Sequence, residues 1–273
     1  MSATTRGRHE GLPRGLWGLD GRRFVVTGGS RGLGAAIVRT LIAEGAHVAA
    51  CARSVDQLEV LAGEIELTSG GLLMTGPLDV MEPDRLEAFV EKAGRAWRGL
   101  DGVVACAGGA QGRSIDNSTP EDWKRTWELN AGHSVRLIRA AVPYLRQTGG
   151  GSAVVIASIS GWKPSPQAQY GAAKAAQIYL AQSLARELGG ESIRVNAVSP
   201  GSMLIHGKRW QRMKEEDPAR FARFAAEFPS ARLVDPHEVA QTVAFLLSDR
   251  SSGISGINLP VDRAQNAPTP EGY

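Results

Sequence analysis

Tyr170 and Lys174 stand four residues apart in a segment whose pattern predicts a helix, so their side chains share one helix face. A nearby ammonium lowers the pKa of a tyrosine, and Tyr170 would then exchange a proton with an alcohol or carbonyl oxygen near neutral pH. Ser158, which ends a predicted strand, can donate a hydrogen bond to that oxygen. Asn130, on a predicted buried helix, needs polar partners, and a water linked to Lys174 would be one. These residue types indicate proton transfer at an alcohol or carbonyl group.

A glycine-rich segment, residues 27–34, follows a short β-branched run and opens a predicted helix. Its glycines allow a sharp turn and the close approach of a pyrophosphate, which the free N–H groups at the start of the helix would bind. The residues expected to make these contacts are Gly28, Ser30, Arg31, Gly32, Leu33 and Gly34. The position between a strand and a helix favours a dinucleotide site over the alternative, a plain glycine-rich turn.

The residue after the second predicted strand bears on the choice of dinucleotide. An NAD site places a carboxylate there for the ribose 2′-hydroxyl, whereas this chain has Arg53. Together with Arg31 it brings two guanidinium groups to one ribose, which suits a 2′-phosphate and predicts NADP(H) as the cofactor. Asp79 and Val80, at the end of the third predicted strand, are candidates for the adenine edge; the alternative for Asp79 is an acid at a helix N-terminus.

The elements that must position these residues alternate along the chain. Apolar runs predict seven strands, over residues 24–27, 47–52, 72–78, 102–107, 153–158, 193–198 and 255–261. Helical periodicity predicts helices over residues 32–44, 55–68, 82–97, 120–147, 168–188 and 235–248. This alternation predicts a single α/β domain, a Rossmann-type doubly wound seven-stranded parallel sheet with helices on both faces.

Charge and composition suggest where this domain begins and ends. The chain has 273 residues and a net charge of +3, and the arginines of residues 1–23 account for all of that excess. We expect a flexible basic N-terminal arm over residues 1–20, a catalytic domain over 21–262 and a C-terminal tail over 263–273. Within the domain, residues 202–230 are expected to form one or two short amphipathic helices that act as a substrate lid.

Several classes of protein are excluded by composition. No apolar run reaches the length of a membrane-spanning helix, and the first residues lack the apolar core of a secretory signal. Two cysteines are too few for a disulfide scaffold or a cysteine-rich metal module. We therefore expect a cytoplasmic protein with no metal, no membrane partner and no nucleic-acid partner, since no nucleic-acid motif accompanies the basic arm.

The motifs together resemble the classical short-chain dehydrogenase/reductase family over residues 20–262. They are the glycine-rich loop, the Ala107-Gly108 turn, Asn130, Ser158, Tyr170-x-x-x-Lys174 and Asn196-Ala-Val-Ser-Pro200-Gly201. The resemblance implies a catalytic set of Asn130, Ser158, Tyr170 and Lys174. It further implies that Lys174 also holds the nicotinamide ribose and that Pro200 and Gly201 border the nicotinamide. B-face hydride transfer and a homotetramer are implied as well.

Four positions depart from the pattern of that family. Cys106 stands where the family has an asparagine, and the interval from Ser158 to Tyr170 is one residue shorter than the commoner one. Ile205 replaces a threonine that contacts the carboxamide. Residues 261–264 read Val-Asp-Arg-Ala instead of Val-Asp-Gly-Gly, and this change leaves a dimer beside the tetramer as an expected homo-oligomer.

The predicted function is an NADP(H)-dependent oxidoreductase that interconverts a small-molecule ketone and a secondary alcohol, as a ketoreductase of metabolic or natural-product biosynthesis. One alternative is a 3-oxoacyl-[acyl-carrier-protein] reductase, for which Lys208, Arg209 and Arg212 are candidate contacts to a carboxylate or a phosphopantetheine. The alternative for these three cations is a solvated helix face that is compensated by Glu215, Glu216 and Asp217. An alternative of another class is a non-catalytic NADP-binding regulatory protein. Trp162 and Trp210 are candidates for an apolar substrate wall, and the alternative for each is ordinary core or surface packing.

Overall fold

The apolar runs form parallel strands in the structure, a computed structural model that describes residues 15–66, 71–164 and 167–265. The strands are β1 (Arg23–Thr27), β2 (His47–Ala52), β3 (Leu73–Pro77), β4 (Gly102–Ala105), β5 (Gly151–Ile156), β6 (Ile193–Pro200) and β7 (Asn258–Val261). The residues of β1, β2, β4 and β5 are almost all buried, as a sheet covered on both faces requires.

The order of the strands creates a crevice at one edge of the sheet. The order is β3-β2-β1-β4-β5-β6-β7, so the direction of winding reverses between β1 and β4. Thr27, the last residue of β1, is level with Cys51 on β2 and with Ala105 on β4. The connections after β1 and β4 leave toward opposite faces at this point, and ligands of doubly wound sheets bind there. The predicted fold class is confirmed.

Helices cover both faces of the sheet. One face is covered by α1 (Gly32–Ala43), α2 (Val55–Glu66) and, later in the chain, α9 (Pro236–Leu247); the other by α3 (Pro83–Ala96), α5 (His133–Gln147) and α6 (Ala168–Leu188). Side chains of β1 alternate between the two layers, with Phe24 and Val26 in one core and Val25 in the other. Fully burying such a side chain stabilises the fold by about 1.5–3 kcal/mol.

The single helix predicted over residues 120–147 is two helices. The first, α4 (Pro120–Trp127), begins with a capping box in which Thr119 and Asp122 each accept the backbone N–H of the other. A π-helical turn, Glu128–Gly132, then separates α4 from α5. The helical spacing of residues 120–147 does not by itself reveal this turn, although such turns recur at functional sites.

The first described residues pack against the body of the protein. Within the predicted arm, residues 15–20 are described; Leu19 is buried, and the Trp17 N–H donates to the Glu44 carboxylate at 2.8 Å. The packed body therefore begins before residue 21, because Leu19 belongs to the buried core and Trp17 packs against it. Residues 1–14 lie outside the described residues.

The predicted insertion over residues 202–230 contains two short helices, α7 (Arg209–Glu216) and α8 (Pro218–Ala225). It is anchored by Phe228, which is 1% exposed in the core beside α1 and α9. The start of the predicted tail packs here too, since the Gln265 side-chain oxygen accepts the Ser202 N–H at 2.8 Å. Residues 266–273 lie outside the described residues.

Cys51, at the end of β2, and Cys106, after β4, are both free thiols. They are separated by β1, and two strand spacings, about 10 Å, exceed the reach of a disulfide. In the part of the chain that the structure describes, no helix is long and apolar enough to cross a lipid bilayer.

Candidate active site

A cleft of about 540 Å³ lies at the carboxyl edge of the sheet, over the switch point between β1 and β4. This volume is in the range of small-molecule and cofactor sites. Arg31 and Arg53 line it on the side of β2, and Ser158, Tyr170 and Lys174 line it on the side of β5. The other predicted residues that line it are Gly28, Ser30, Gly32, Leu33, Gly34, Asp79, Val80, Ala107, Gly108, Pro200 and Gly201.

The glycine-rich loop turns so sharply that its backbone leaves no room for a side chain at two of its glycines. Gly28 has φ +68°, and a Cβ there would lie 2.9 Å from the Ala107 Cα. A Cβ on Gly34 would lie 2.0 Å from the Gly28 carbonyl oxygen. The Arg31 side chain does not cap α1, so the first N–H groups of that helix remain available. These groups and the close backbone approach fit a pyrophosphate.

Thr27 ties this loop to the connection after β4. Its hydroxyl oxygen accepts the N–H of Cys106 at 3.0 Å and that of Ala107 at 3.3 Å, and the His133 Nε2 lies 3.3 Å from it. Burial lowers the pKa of His133 to about 3, so this imidazole is neutral. The sequence did not single out Thr27 or His133. The only signal for the contact of Thr27 with Cys106 is that the predicted ends of β1 and β4 lie side by side in the sheet.

Three cations converge on the β2 side of the cleft. Arg31 and Arg53 are exposed, and among the described residues neither forms an ion pair. The third is Lys208 from the insertion, whose pKa is lowered by burial and by the nearby charges of Arg31 and Arg212. Like charges held together without an acidic partner favour binding of an anion such as phosphate. Lys208 was only a candidate contact to the substrate from the sequence, and in the structure it lies near Arg31 in this cleft.

Asp79 and Val80 line the cleft beside the end of β3. The Asp79 carboxylate accepts the Met81 N–H at 3.0 Å, which leaves its second oxygen for a ligand. Glu82, and not Asp79, is the N-terminal boundary residue of α3. Asp79 therefore lies before the first turn of α3 and is not the acid at its N-terminus. Contact of Asp79 with an adenine stays a prediction.

Lys174 is held on the cleft floor by two hydrogen bonds. Its Nζ donates to the Ile156 carbonyl and to the Gln177 Oε1, each at 2.8 Å, and lies 5.5 Å from the centre of the Tyr170 ring. The spacing of Tyr170 and Lys174 along α6 thus brings the two side chains together. Burial lowers the pKa of Lys174 to about 7.

The pKa of Tyr170 departs from the sequence-based expectation. Burial raises it, and a hydrogen bond with the Ser158 side chain opposes the rise. The expected lowering by Lys174 is therefore not what this structure has, because removing the hydroxyl from water costs the phenolate more than its surroundings return. The Ser158 side chain also accepts the Ser160 N–H at 3.1 Å, which fixes its orientation.

Asn130 lies in the π-helical turn and does not line the cleft among the described residues. Its Nδ2 donates to the Gly109 and Thr126 carbonyls, each at 2.7 Å, and its Oδ1 accepts the Gly109 N–H at 3.3 Å. The side chain is thus satisfied by protein groups, and a link to Lys174 through a water stays a prediction. The Asn130 side chain instead holds the Gly109 backbone at the mouth of the cleft.

The insertion covers the glycine-rich loop. Ile205 lines the cleft, and a Cβ on Gly32 would lie 3.3 Å from its Cγ2. The Trp210 ring stacks on Phe224 with 3.8 Å between their centres. Trp210 therefore packs within the insertion, and neither Trp210 nor Trp162, which is 38% exposed, is among the described residues that line the cleft.

The chain is similar to known proteins over nearly its whole length. A family model described as enoyl-(acyl carrier protein) reductase matches residues 28–263. Isoepoxydon dehydrogenase of Penicillium expansum is 34% identical over 249 residues, which cover 90% of this chain and 95% of that protein. The 3-oxoacyl-[acyl-carrier-protein] reductase of Escherichia coli K12 is 32% identical over 245 residues, which cover 89% and 97%.

Solved structures share the fold. The L-sorbose reductase of Gluconobacter frateurii, complexed with NADPH and L-sorbose, has a TM-score of 0.87 and 30% identity. The match covers 94% of this chain and 100% of that chain. A short-chain type dehydrogenase/reductase of Mycobacterium ulcerans has a TM-score of 0.84 and 31% identity, over 90% of each chain. The matched region contains the whole cleft, from the glycine-rich loop to the strand that ends at Pro200. The chain is accordingly an oxidoreductase that acts on alcohol and carbonyl groups with a nicotinamide cofactor, and it belongs to the classical short-chain dehydrogenase/reductase family.

Proposed function

We propose that this protein interconverts a ketone and a secondary alcohol with NADP(H), using Tyr170 as proton donor and acceptor. The observation that carries the proposal is the cleft itself: Tyr170, Ser158 and Lys174 line one side of it, and Arg31, Arg53 and Lys208 line the other. The first set can move a proton at a carbonyl oxygen, and the second suits the extra phosphate of NADP(H).

The chain's part in the reaction follows from these side chains. When bound, the nicotinamide supplies or accepts the hydride. In ketone reduction the Ser158 hydroxyl donates a hydrogen bond to the substrate oxygen, and Tyr170 delivers its proton there as charge develops on that oxygen. In alcohol oxidation Tyr170 takes the proton back. The Lys174 ammonium stabilises the tyrosinate left by proton delivery, and it would hold the nicotinamide ribose.

Replacing Tyr170 by phenylalanine tests the proton-transfer role. Tyr170→Phe should lower kcat by about 10²–10⁴-fold while NADPH still binds, because the variant loses only a hydroxyl. Tyr144→Phe is the matched control, since the Tyr144 ring packs beside Gly94 of α3 and does not line the cleft. Activity is followed by NADPH absorbance with a panel of ketones, and NADPH binding by fluorescence. Near-normal turnover of Tyr170→Phe would overturn the assignment.

The preference for NADP(H) is supported by Arg31, Arg53 and Lys208, and by NADPH in the Gluconobacter reductase. Charge-assisted hydrogen bonds to phosphate contribute about 1.5–3 kcal/mol each, and exposure of Arg53 places its share at the low end. Arg53→Asp should therefore weaken NADPH binding about tenfold and leave NADH binding nearly unchanged. Arg223→Asp, an equal charge change at an exposed residue of α8, is the control. Equal loss of both cofactors would refute the 2′-phosphate assignment.

Two substrate classes are favoured by different observations. The Penicillium and Gluconobacter relatives support a small polyfunctional ketone or alcohol. The Escherichia relative supports a 3-oxoacyl carrier thioester, with Arg209 and Arg212 of α7 available for its phosphopantetheine. Comparing kcat/KM for small ketones with that for an acetoacetyl carrier protein decides between them. The complete Ser158, Tyr170 and Lys174 set leaves the non-catalytic alternative without support.

Residues 202–230 serve in this proposal as a lid, because Ile205 and Lys208 line the cleft from above the glycine-rich loop. A homo-oligomer, tetramer or dimer, is proposed through α5 and α6, where Val135 is 38% and Tyr179 70% exposed. Light scattering during gel filtration measures the assembly directly. A cytoplasmic location stays a prediction.

A further inference from the structure

Gln177 lies one turn beyond Lys174 on α6 and is 0% exposed. Its Oε1 accepts a hydrogen bond from the Lys174 Nζ at 2.8 Å. Its Nε2 donates to the Ser134 Oγ at 2.8 Å and to the Asn130 carbonyl at 3.2 Å. One buried amide thus links the ammonium of the cleft to the π-helical turn, with no water between them.

The orientation of this amide is determined by its partners. The ammonium of Lys174 can only donate, and the Asn130 carbonyl can only accept. The Ser134 hydroxyl already donates to that carbonyl at 2.8 Å, so toward Gln177 it accepts. The amide therefore has a single orientation that satisfies its partners, with its oxygen toward Lys174.

This contact also sets the direction of the remaining ammonium N–H. An ammonium has three donors, and Lys174 uses two of them, on the Ile156 carbonyl and on Gln177. Gly108 leaves open space beside the Lys174 Nζ, because an added Cβ at Gly108 would lie only 3.3 Å from that nitrogen. Gly108 and Lys174 both line the cleft, so the third N–H has open space on the cleft side.

No carboxylate compensates the charge of Lys174 among the described titratable groups that face it. These groups are Tyr170 on the same helix, Cys106 after β4 and His133 on α5. Burial raises the pKa of Cys106 to about 12 and lowers that of His133 to about 3, so both are neutral at pH 7. The neutral oxygen of Gln177 is then the side-chain acceptor on which the buried ammonium depends.

We propose that Gln177 is a positioning residue for Lys174. Its side-chain oxygen holds the ammonium in place and so directs the free N–H of that ammonium toward the cofactor. The proposal rests on the role assigned to Lys174 in the proposed function. Gln177 also couples α6 to the turn at residues 128–132, because its amide donates to the Asn130 carbonyl. The Asn130 side chain in turn holds Gly109 at the mouth of the cleft. A shift of that turn would therefore be transmitted to the ammonium.

Two substitutions of Gln177 should shift the pKa of Lys174 in opposite directions. Gln177→Leu removes the acceptor, which disfavours the charged form of Lys174, so the alkaline limb of kcat for ketone reduction should move to lower pH and kcat should fall about tenfold. Gln177→Glu places a carboxylate beside the ammonium and favours its charged form, so the same limb should move about one pH unit higher. Its kcat should exceed that of Gln177→Leu.

Gln169→Leu is the matched control, because Gln169 is also buried on α6 and its amide donates to the Gln111 carbonyl and the Ser118 hydroxyl instead. Its pH limb should stay at the wild-type position. Folding is checked by circular dichroism, and if Gln177→Leu does not fold, the upward shift of Gln177→Glu still decides. Folded variants whose limb and kcat match the wild type would overturn the inference.

The two proposals fail in distinguishable ways. If Tyr170→Phe keeps its activity, the proposed function fails whatever the Gln177 variants do. If Tyr170→Phe is inactive and the Gln177 variants keep the wild-type pH limb and kcat, only the positioning role fails.

Discussion

Gly28 offers the sharpest test of how closely the glycine-rich loop must approach the connection after β4. Its φ is +68°, and an added Cβ would lie 2.9 Å from the Ala107 Cα and 3.0 Å from the Ala107 nitrogen. Gly21 has nearly the same backbone, φ +69°, but a Cβ there would meet nothing within 4 Å. Substituting alanine at each position therefore separates backbone strain from the close contact.

The two costs can be worked from these geometries. A left-handed backbone costs an alanine about 1–2 kcal/mol, and the stiffer unfolded chain returns about 0.4–1 kcal/mol, so Gly21→Ala should destabilise by about 1 kcal/mol. Gly28→Ala carries the same strain and adds overpacking against backbone atoms, about 1–3 kcal/mol. It should therefore destabilise by about 2–4 kcal/mol. The difference between the variants measures the close approach alone.

Urea unfolding at equal protein concentrations, followed by tryptophan fluorescence, gives the free energy of unfolding for both variants. NADPH titration should also reveal weaker binding to Gly28→Ala and unchanged binding to Gly21→Ala, because only the first displaces the pyrophosphate loop. Equal destabilisation of the two variants would refute the reasoning, since the contact at Ala107 would then contribute nothing.

Three further perturbations follow from the charges, thiols and rings of the structure. Burial raises the pKa of Asp101, but the hydrogen bond and charge of Arg23 outweigh it and hold that pKa below 3.8; its stabilisation is present above the unfolded pKa and lost as pH falls through the folded one. Asp101→Asn should thus lose about 2 kcal/mol at neutral pH and show a flatter acid limb in urea unfolding. Burial raises the pKa of Cys51 to about 12, so a thiol reagent should label Cys51 slowly until denaturant is added. Trp210→Ala removes the aromatic stack of the insertion and should speed its limited proteolysis about tenfold.

Each of these has a clear contrary result. A wild-type acid limb in Asp101→Asn would mean that this carboxylate does not govern acid stability. Fast labelling of Cys51 in the folded protein would contradict burial of that thiol. Unchanged proteolysis of Trp210→Ala would mean that the ring stack does not hold the insertion, and Trp97→Ala, far from the insertion and packed near His47, controls for general loosening.

Much of the fold and cleft was predictable because the signals are local. The strands alternate with amphipathic helices, so their number and direction follow from periodicity and short connections. The glycine-rich loop is a single run of residues between one strand and one helix. Tyr170 and Lys174 lie four residues apart on one helix, and that spacing alone brings them together.

What the sequence by itself determined is therefore the sheet, the loop and the tyrosine–lysine pair. Only the tertiary structure decided that Thr27 holds Cys106, at a separation of 79 residues, and that Gln177 joins Lys174 to Asn130, which is 47 residues away from it. It also decided that burial, rather than the neighbouring ammonium, dominates the pKa of the tyrosine. The physical reason is that partners distant in sequence, and the water excluded around them, exist only after the chain has packed.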